Sequence, residues 1–287
     1  MGRRLRLAAA VVAMTGAAAL VFALTGGDRE QGAGGTSDPG LMHVHGLGVN
    51  PKDGALYIAT HTGLFRAANG ERRATRVGDS EQDVMGFSVI GPDRFLGSGH
   101  PGPLQGGPGN LGLIRSADGG RSWDSVSLLG ESDFHVLRSR DPLVYGFDAI
   151  NSRFMVSADG GRNWDERDTP GAMLDIAIHP GDAARVVAST ERGLVTSPDE
   201  GRSWRTLQTG PLALLTWPRP DALYRVDGSG RVAISRDQGG RWRQTGSIGA
   251  QPAAFASAGS DLFAALPDGT VKRSSDGGKT WRVRAKP

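Results

Sequence analysis

Ser116-Ala-Asp-Gly-Gly-Arg-Ser-Trp123, SADGGRSW, sets an acid, two glycines and a tryptophan within eight residues, and the pattern recurs. SADGGRNW begins at Ser157, SPDEGRSW at Ser197, SRDQGGRW at Ser235 and SSDGGKTW at Ser274, so successive starts lie 41, 40, 38 and 39 residues apart. Such a period, with four short strands in each unit, is the signature of a β-propeller blade. Leu174 to Trp204 reads as one blade: apolar LDIAIHP, a turn, RVVAST, a turn, GLVTS, then the acidic hairpin. A degenerate sixth copy lies upstream, where GLFRAANGE at Gly63 to Glu71 aligns with GLIRSADGG at Gly112 to Gly120 but lacks the Ser, the Asp and the Trp. The expectation is an all-β, six-bladed propeller over residues 41–287, with blades at about 41–80, 81–129, 130–169, 170–209, 210–248 and 249–287. The chain then begins on an innermost strand A and ends on an outermost strand D, and nothing in the sequence indicates how the ring closes.

The octapeptide reads as scaffolding. Asp118, Asp159, Asp199, Asp237 and Asp276 can each accept hydrogen bonds from backbone N–H groups of a tight turn, and the glycine two residues on can adopt a positive φ. Trp123, Trp164, Trp204, Trp242 and Trp281 then cover the hairpins with a large apolar surface. A catalytic acid is needed once, whereas this one recurs around a ring.

The pattern Ser-x-Asp-x-Gly-x-Thr/Ser-Trp resembles the Asp-box, or BNR, repeat of the sialidase-like and sortilin-like propellers, which also occurs in a photosystem II assembly factor. Taken as a whole, the chain is similar to bacterial exported proteins described as glycosyl hydrolases or exo-alpha-sialidases. The resemblance implies the fold more securely than an activity, because that fold carries enzymes and pure binders alike. It implies three function classes: a binding module, a sialidase-like glycoside hydrolase, or an assembly factor for a membrane complex. A sialidase would bring an Arg triad, a Tyr/Glu nucleophile pair, an Asp acid/base and a Phe/Tyr-Arg-Ile-Pro motif. The nearest match, Phe65-Arg66-Ala67-Ala68, lacks the Ile-Pro. The three tyrosines, Tyr57, Tyr145 and Tyr224, share one place in strand B, where Phe95 and Phe263 also fall, so they read as core and leave no nucleophile. Among the carboxylates near strand ends, Asp83, Glu131, Asp133, Asp148, Asp175 and Asp227, no spacing selects a glycosidase pair.

Bulk composition narrows the classes further. Among 287 residues, Gly 44 and Pro 16 with 6% aromatics fit many turns and short elements, and Cys 0 excludes disulfides, thiolate metal sites and cysteine nucleophiles. The pI near 9.6 comes from Arg3, Arg4 and Arg6. Removing those three from Lys+Arg 33 leaves 30, which equals Asp+Glu 30, so the rest of the chain is balanced and no nucleic-acid partner is expected. Leu7 to Leu24, LAAAVVAMTGAAALVFAL, is uncharged and flanked by arginine on one side. Residues 1–25 are therefore expected to be a signal peptide or signal-anchor helix, and residues 26–40 a flexible tether. The chain should be monomeric and exported: anchored on the outer face of the cytoplasmic membrane, or secreted if Val21-Phe22-Ala23 is cleaved.

The histidines carry the functional expectation. His43 and His45 open strand A of blade 1 in MHVHG, His61 ends its strand B, His100 lies in the matching B-to-C connection of blade 2, inside the long insertion GSGHPGPLQGGPGN, and His135 opens strand A of blade 3. In a propeller the D-to-A and B-to-C connections emerge on one face and every octapeptide on the other. These five histidines thus share a face, and His179 alone belongs to the opposite one, in a structural turn. Converging imidazoles can hold a transition metal, Cu or Zn, with Asp133, Asp148, Met42 or Met85 completing the shell. Ligand- or partner-binding residues are accordingly His43, His45, His61, His100, His135, Asp133 and Asp148. The ligand or protein bound outside the cytoplasm is not named by the sequence.

Overall fold

The computed structural model describes Leu41 and residues 43–287; the expected signal or anchor segment, the tether and Met42 lie outside the described residues. Those residues form six four-stranded antiparallel sheets, each built from four consecutive strands, and no helix. Blade 1 runs from β1 (Val44–Val49) to β4 (Thr75–Arg76), and blade 2 from β5 (Asp83–Gly91) to β8 (Asp124–Ser127). Blade 3 runs from β9 (Phe134–Arg140) to β12 (Asp165–Arg167), and blade 4 from β13 (Met173–His179) to β16 (Arg205–Gln208). Blade 5 runs from β17 (Ala213–Arg219) to β20 (Arg243–Ser247), and blade 6 from β21 (Ala254–Ala258) to β24 (Arg282–Ala285). The first strands of successive blades touch one another around the axis, and β21 touches β1, which closes a six-bladed propeller.

The apolar residues collect between sheets, because each sheet has two faces and covers them with its neighbours. Six hydrophobic clusters result, one at each junction. Leu96 and Leu113 of blade 2, for example, meet Phe134, Leu137, Val144 and Met155 of blade 3. Tyr57, Tyr145 and Tyr224 are buried within these clusters, and the Tyr145 hydroxyl donates to the Ala183 carbonyl at 2.6 Å.

The octapeptide turns join the blades. Ser116 Oγ accepts the Gly120 N–H at 2.8 Å and donates to Asp118 Oδ1 at 2.9 Å, while Asp118 accepts the N–H groups of Arg121 and Ser122, both at 3.0 Å, and the Ser122 hydroxyl. Burial pushes the Asp118 pKa up, but the Ser122 hydroxyl and N–H, Ser116 and the Arg121 N–H outweigh it and draw it down to about 2. Each turn then leans on the blade before it. Ser127 of blade 2 donates to the Gly161 carbonyl at 2.6 Å and accepts the Trp164 indole N–H at 2.9 Å, and Trp164 lies against Phe134.

Blade 1 lacks this turn, so its junction with blade 6 is made differently. The Arg284 guanidinium donates to the carbonyls of Ala67, Ala68 and Glu71, the Lys286 N–H donates to the Arg72 carbonyl at 2.8 Å, and Arg73 bridges Lys286 in parallel. Beneath them Leu41, Val44, Leu47 and Phe65 meet Ala254, Phe263 and Val271. Among the described residues the ring therefore closes by packing and a clasp from residues 284–286, without a strand shared between its ends. Arg284→Ala should lower unfolding stability by about 1–3 kcal/mol, since three carbonyls lose a charged donor. Urea denaturation checks this; a midpoint equal to that of the unaltered chain refutes the clasp.

Candidate metal centre

At the start of the innermost strand, blades 1 to 4 each carry one extra residue. The pairing of β1 with β2 (Leu56–Thr60) skips between Val44 and Gly46, that of β5 with β6 (Arg94–His100) skips between Val84 and Gly86, and that of β9 with β10 (Leu143–Asp148) skips between Phe134 and Val136. In blade 4, β13 skips between Met173 and Asp175 against β14 (Asp182–Thr190). The extruded residues are His45, Met85, His135 and Leu174. A bulge takes a residue out of the ladder and re-aims its side chain, so the bulges decide what faces the mouth of the ring. Two residues before the bulge stand His43, Asp83 and Asp133 in blades 1 to 3.

The first cluster bridges blades 1 and 2. His61 Nδ1 lies 2.6 Å from Asp83 Oδ2, and His45 Nε2 lies 3.8 Å from Asp83 Oδ1. The His45 and His61 rings meet edge-on at 4.4 Å between centroids, and His43 stands beside them, its ring 5.0 Å from that of His61. One ligand atom from each of His45, His61 and Asp83 lies within 4.8 Å of the others. His45 Nε2 and Asp83 Oδ1 are both buried without a hydrogen-bond partner. Their separation is too wide for a hydrogen bond and matches two ligands of one ion, which sit about 3–4 Å apart when each bond is near 2 Å. Burial, with repulsion from His61, lowers the His45 pKa to about 4, so this imidazole is neutral at neutral pH, as a metal ligand must be. The hydrogen bond to Asp83 raises that of His61. His43 holds a left-handed φ of 52°, uncommon for a residue with a side chain.

A separate cluster bridges blades 2 and 3. Asp133 Oδ2 lies 2.7 Å from His135 Nε2 and 3.4 Å from His100 Nε2, and His100 Nδ1 lies 2.9 Å from the Gly109 carbonyl of the insertion. The five histidines of this face are thus divided between two aspartates rather than gathered around one point. Asp148 joins neither group. It is buried and ion-paired with Arg153 at 2.9 Å, takes the Asn151 amide at 2.8 Å, and accepts the Asp133 N–H at 3.3 Å, so it supports the loop that carries Asp133. Met85 occupies the bulge of blade 2 between the two clusters.

Asp83 is the residue that sequence reasoning placed in the wrong company, among glycosidase carboxylates. Aligning DVMGF of blade 2 on HVHGL of blade 1 sets Asp83 against His43 and Met85 against His45, a signal that was available in the repeat register. The other carboxylates of that set are engaged or exposed. Asp175 binds Arg138 at 2.7 Å, Asp227 binds Ser229 and Arg231, and Glu131 is exposed on a loop. His179 lies on the opposite face, edge-on to Trp217 at 4.8 Å, and accepts the Gly181 N–H.

No protein-family model matches this chain, and neither does any curated protein. Solved structures do match in fold. A glycoside hydrolase family 74 xyloglucanase from Xanthomonas campestris superposes with a TM-score of 0.58 at 19% identity, over 86% of this chain and 46% of that one. The chain therefore spans about half the length of that enzyme. YCF48 bound to D1 peptide gives a TM-score of 0.53 at 15% identity, covering 85% and 82% of the two chains. A nidogen/laminin complex gives 0.63 at 17% identity, covering 81% and 93%. At these identities the likeness is one of fold.

Proposed function

We propose that this chain is an exported binding module whose face formed by blades 1 to 3 holds a transition metal and receives a ligand or protein partner there. The observation that carries the reading is the His45, His61 and Asp83 group, in which two buried ligand atoms lack any hydrogen-bond partner. A buried polar atom without a partner is costly, and a shared cation removes that cost for both. Two imidazoles and a carboxylate suit Zn or Cu. Three protein ligands leave an open position for water or for a donor group on the partner, with His43 beside it. Two of the fold neighbours were solved in complexes, one with a peptide and one with a protein, and this propeller offers a comparable platform. A role in assembling a membrane complex falls within the same reading. The uncharged segment Leu7 to Leu24 supports export, with the propeller held at the outer face of the membrane or released. Glycoside hydrolysis draws less support, because Asp148 and Asp175 are locked by arginines and the tyrosines are buried.

Zinc titrated into the detergent-solubilised, chelator-stripped full chain tests this. The unaltered chain should bind zinc, and His61→Ala should weaken the site by about a hundredfold or more, since even a supporting partner is worth roughly 10–100-fold. Equal affinity in the two proteins, or no binding by either, would sink the proposal.

A further inference from the structure

We propose that the face formed by the D-to-A and B-to-C connections docks a segment of another protein that carries both apolar and cationic side chains, with Leu104, Leu129 and Ile150 as its apolar footing. This rests on the reading of the face as a binding surface and does not depend on the metal.

The large apolar side chains start the argument. Among the described residues the exposed ones are Leu104, Leu129, Ile150, Leu174 and Leu212. Leu104 lies between β6 and β7 (Leu113–Ser116), Leu129 between β8 and β9, Ile150 between β10 and β11 (Arg153–Ser157), and Leu212 between β16 and β17, while Leu174 is extruded at the start of β13. All five thus stand on the face of the histidines, and among the described residues the octapeptide face has none. A single exposed leucine is ordinary, but confinement of the whole set to one face marks an interaction surface.

Leu104 is presented on a fixed turn. It is 99% exposed, and beneath it the Gln105 N–H donates to the Gly102 carbonyl at 2.9 Å while the Gly102 N–H donates to Gln105 Oε1 at 2.8 Å. Gln105 Nε2 donates to Ser80 Oγ at 3.1 Å, which pins the turn to the connection before β5. A turn held in this way loses little freedom when its leucine is covered. The insertion also reaches the next connection, where the Gly130 N–H donates to the Asn110 carbonyl at 2.9 Å, and Asn151 Nδ2 donates to the Glu131 carbonyl at 3.2 Å. Hydrogen bonds therefore tie the carriers of Leu104, Leu129 and Ile150 into one surface across blades 2 and 3.

Charge selects the occupant. The connections of this face expose Asp79, Glu81, Glu131, Asp168, Glu191 and Asp268 against Arg192 and Lys286. Of these six acids Glu191 alone has an ion pair among the described residues, with Arg192 at 3.8 Å. Each octapeptide, by contrast, brings an arginine or a lysine along with its aspartate. The acids are interleaved with the leucines: Glu131 follows Leu129 by two residues, and the backbone of Glu81 lies against Gly102 of the Leu104 turn. A second copy of this face, an anionic lipid surface or a nucleic acid would set negative charge against negative charge. A polypeptide with lysines or arginines between its apolar residues matches both features, the leucines supplying affinity and the carboxylates orientation and rate of approach.

The probe is a fluorescein-labelled hexapeptide, Lys-Leu-Lys-Leu-Lys-Leu, with Glu-Leu-Glu-Leu-Glu-Leu as its acidic counterpart. Binding to the full chain in nonionic detergent is followed by fluorescence anisotropy at low salt. Partition into micelles is common to all variants, so differences between proteins report the surface. Leu129→Ser/Ile150→Ser should weaken the lysine peptide about tenfold or more. Glu131→Lys should weaken it about threefold, whereas Glu166→Lys, the same charge change on the exposed outer strand of blade 3, should leave it unaltered. Every substituted side chain is exposed, and far-UV circular dichroism verifies the fold. Equal affinity in the unaltered chain, the double variant and Glu131→Lys overturns the proposal. Equal binding of the acidic peptide also overturns it and leaves the face a surface for another chemistry. Protection of 101–112 and 128–133 from hydrogen exchange by phosphatidylglycerol/phosphatidylcholine vesicles, without peptide, assigns the face to the lipid surface and overturns it. Zinc binding without peptide binding overturns the docking and leaves the metal reading standing, and loss of peptide in Glu166→Lys alone overturns the reading of this face as the binding surface.

Discussion

Gly201→Ala is expected to cost about 2–5 kcal/mol of unfolding stability, and the reason lies in where the octapeptide turn meets the blade before it. Gly201 has φ of 79°, which costs an alanine roughly 1–2 kcal/mol. An added Cβ would also stand 2.3 Å from Cε1 of Phe154, in blade 3. That ring is fully buried, flanked by Tyr145 and by Trp204, and has nowhere to retreat. Overpacking of this kind adds about 1–3 kcal/mol. The preceding residue supplies the control. Gly119, Gly160 and Gly277 are left-handed in their turns, but the equivalent residues of blades 4 and 5 are Glu200 and Gln238, each with φ of 61°. Near Gly160 a Cβ would meet only an Arg115 nitrogen, at 3.4 Å. Gly160→Glu should therefore cost about 1 kcal/mol, the backbone term alone. Urea unfolding of the two variants separates the roles, and equal losses would show that only the backbone conformation matters.

That contrast marks what the sequence could and could not reveal. Five copies of SADGGRSW-like turns at a steady period set the blade register, and the turn glycine and tryptophan were readable as scaffold because they recur. Closure was not readable, since Arg167 stands at the same offset from its tryptophan as Arg284 does, and the acceptors that set Arg284 apart, Ala67, Ala68 and Glu71, are backbone carbonyls far away in the chain. The shared face of the histidines followed from register alone. Their division into two groups did not, because it depends on which aspartate each imidazole reaches. Those aspartates lie in other blades or connections, and the strand bulges that aim His45 and His135 leave no composition signal.

Asp175→Ala should cost about 3–5 kcal/mol, because it removes an ion-pair partner and leaves two buried backbone N–H groups without an acceptor. Asp175 is 1% exposed and joins three blades. Arg138 on β9 donates to Oδ1 at 2.7 Å, the N–H of Ile176 in its own strand donates to Oδ1 at 2.8 Å, and the N–H of Leu215 on β17 donates to Oδ2 at 2.8 Å. Alanine strands both N–H groups in a buried place and leaves Arg138, which is 31% exposed, to turn toward water. Asp175→Asn keeps one acceptor but sets an amide N–H₂ against the Leu215 N–H or against Arg138, and should lose about 1–3 kcal/mol. In an Arg138→Ala/Asp175→Ala cycle the coupling should reach about 1–3 kcal/mol, and additive losses would refute the clip. The position explains the difference from Asp83 and Asp133. In blade 4 the bulge extrudes Leu174, which is 39% exposed, and the residue after it turns inward. An aspartate two residues before the bulge reaches the histidines, and an aspartate just after it is buried between blades. Three residues of register therefore separate a candidate ligand from a structural clip, although both read from the sequence as an acid near the start of strand A.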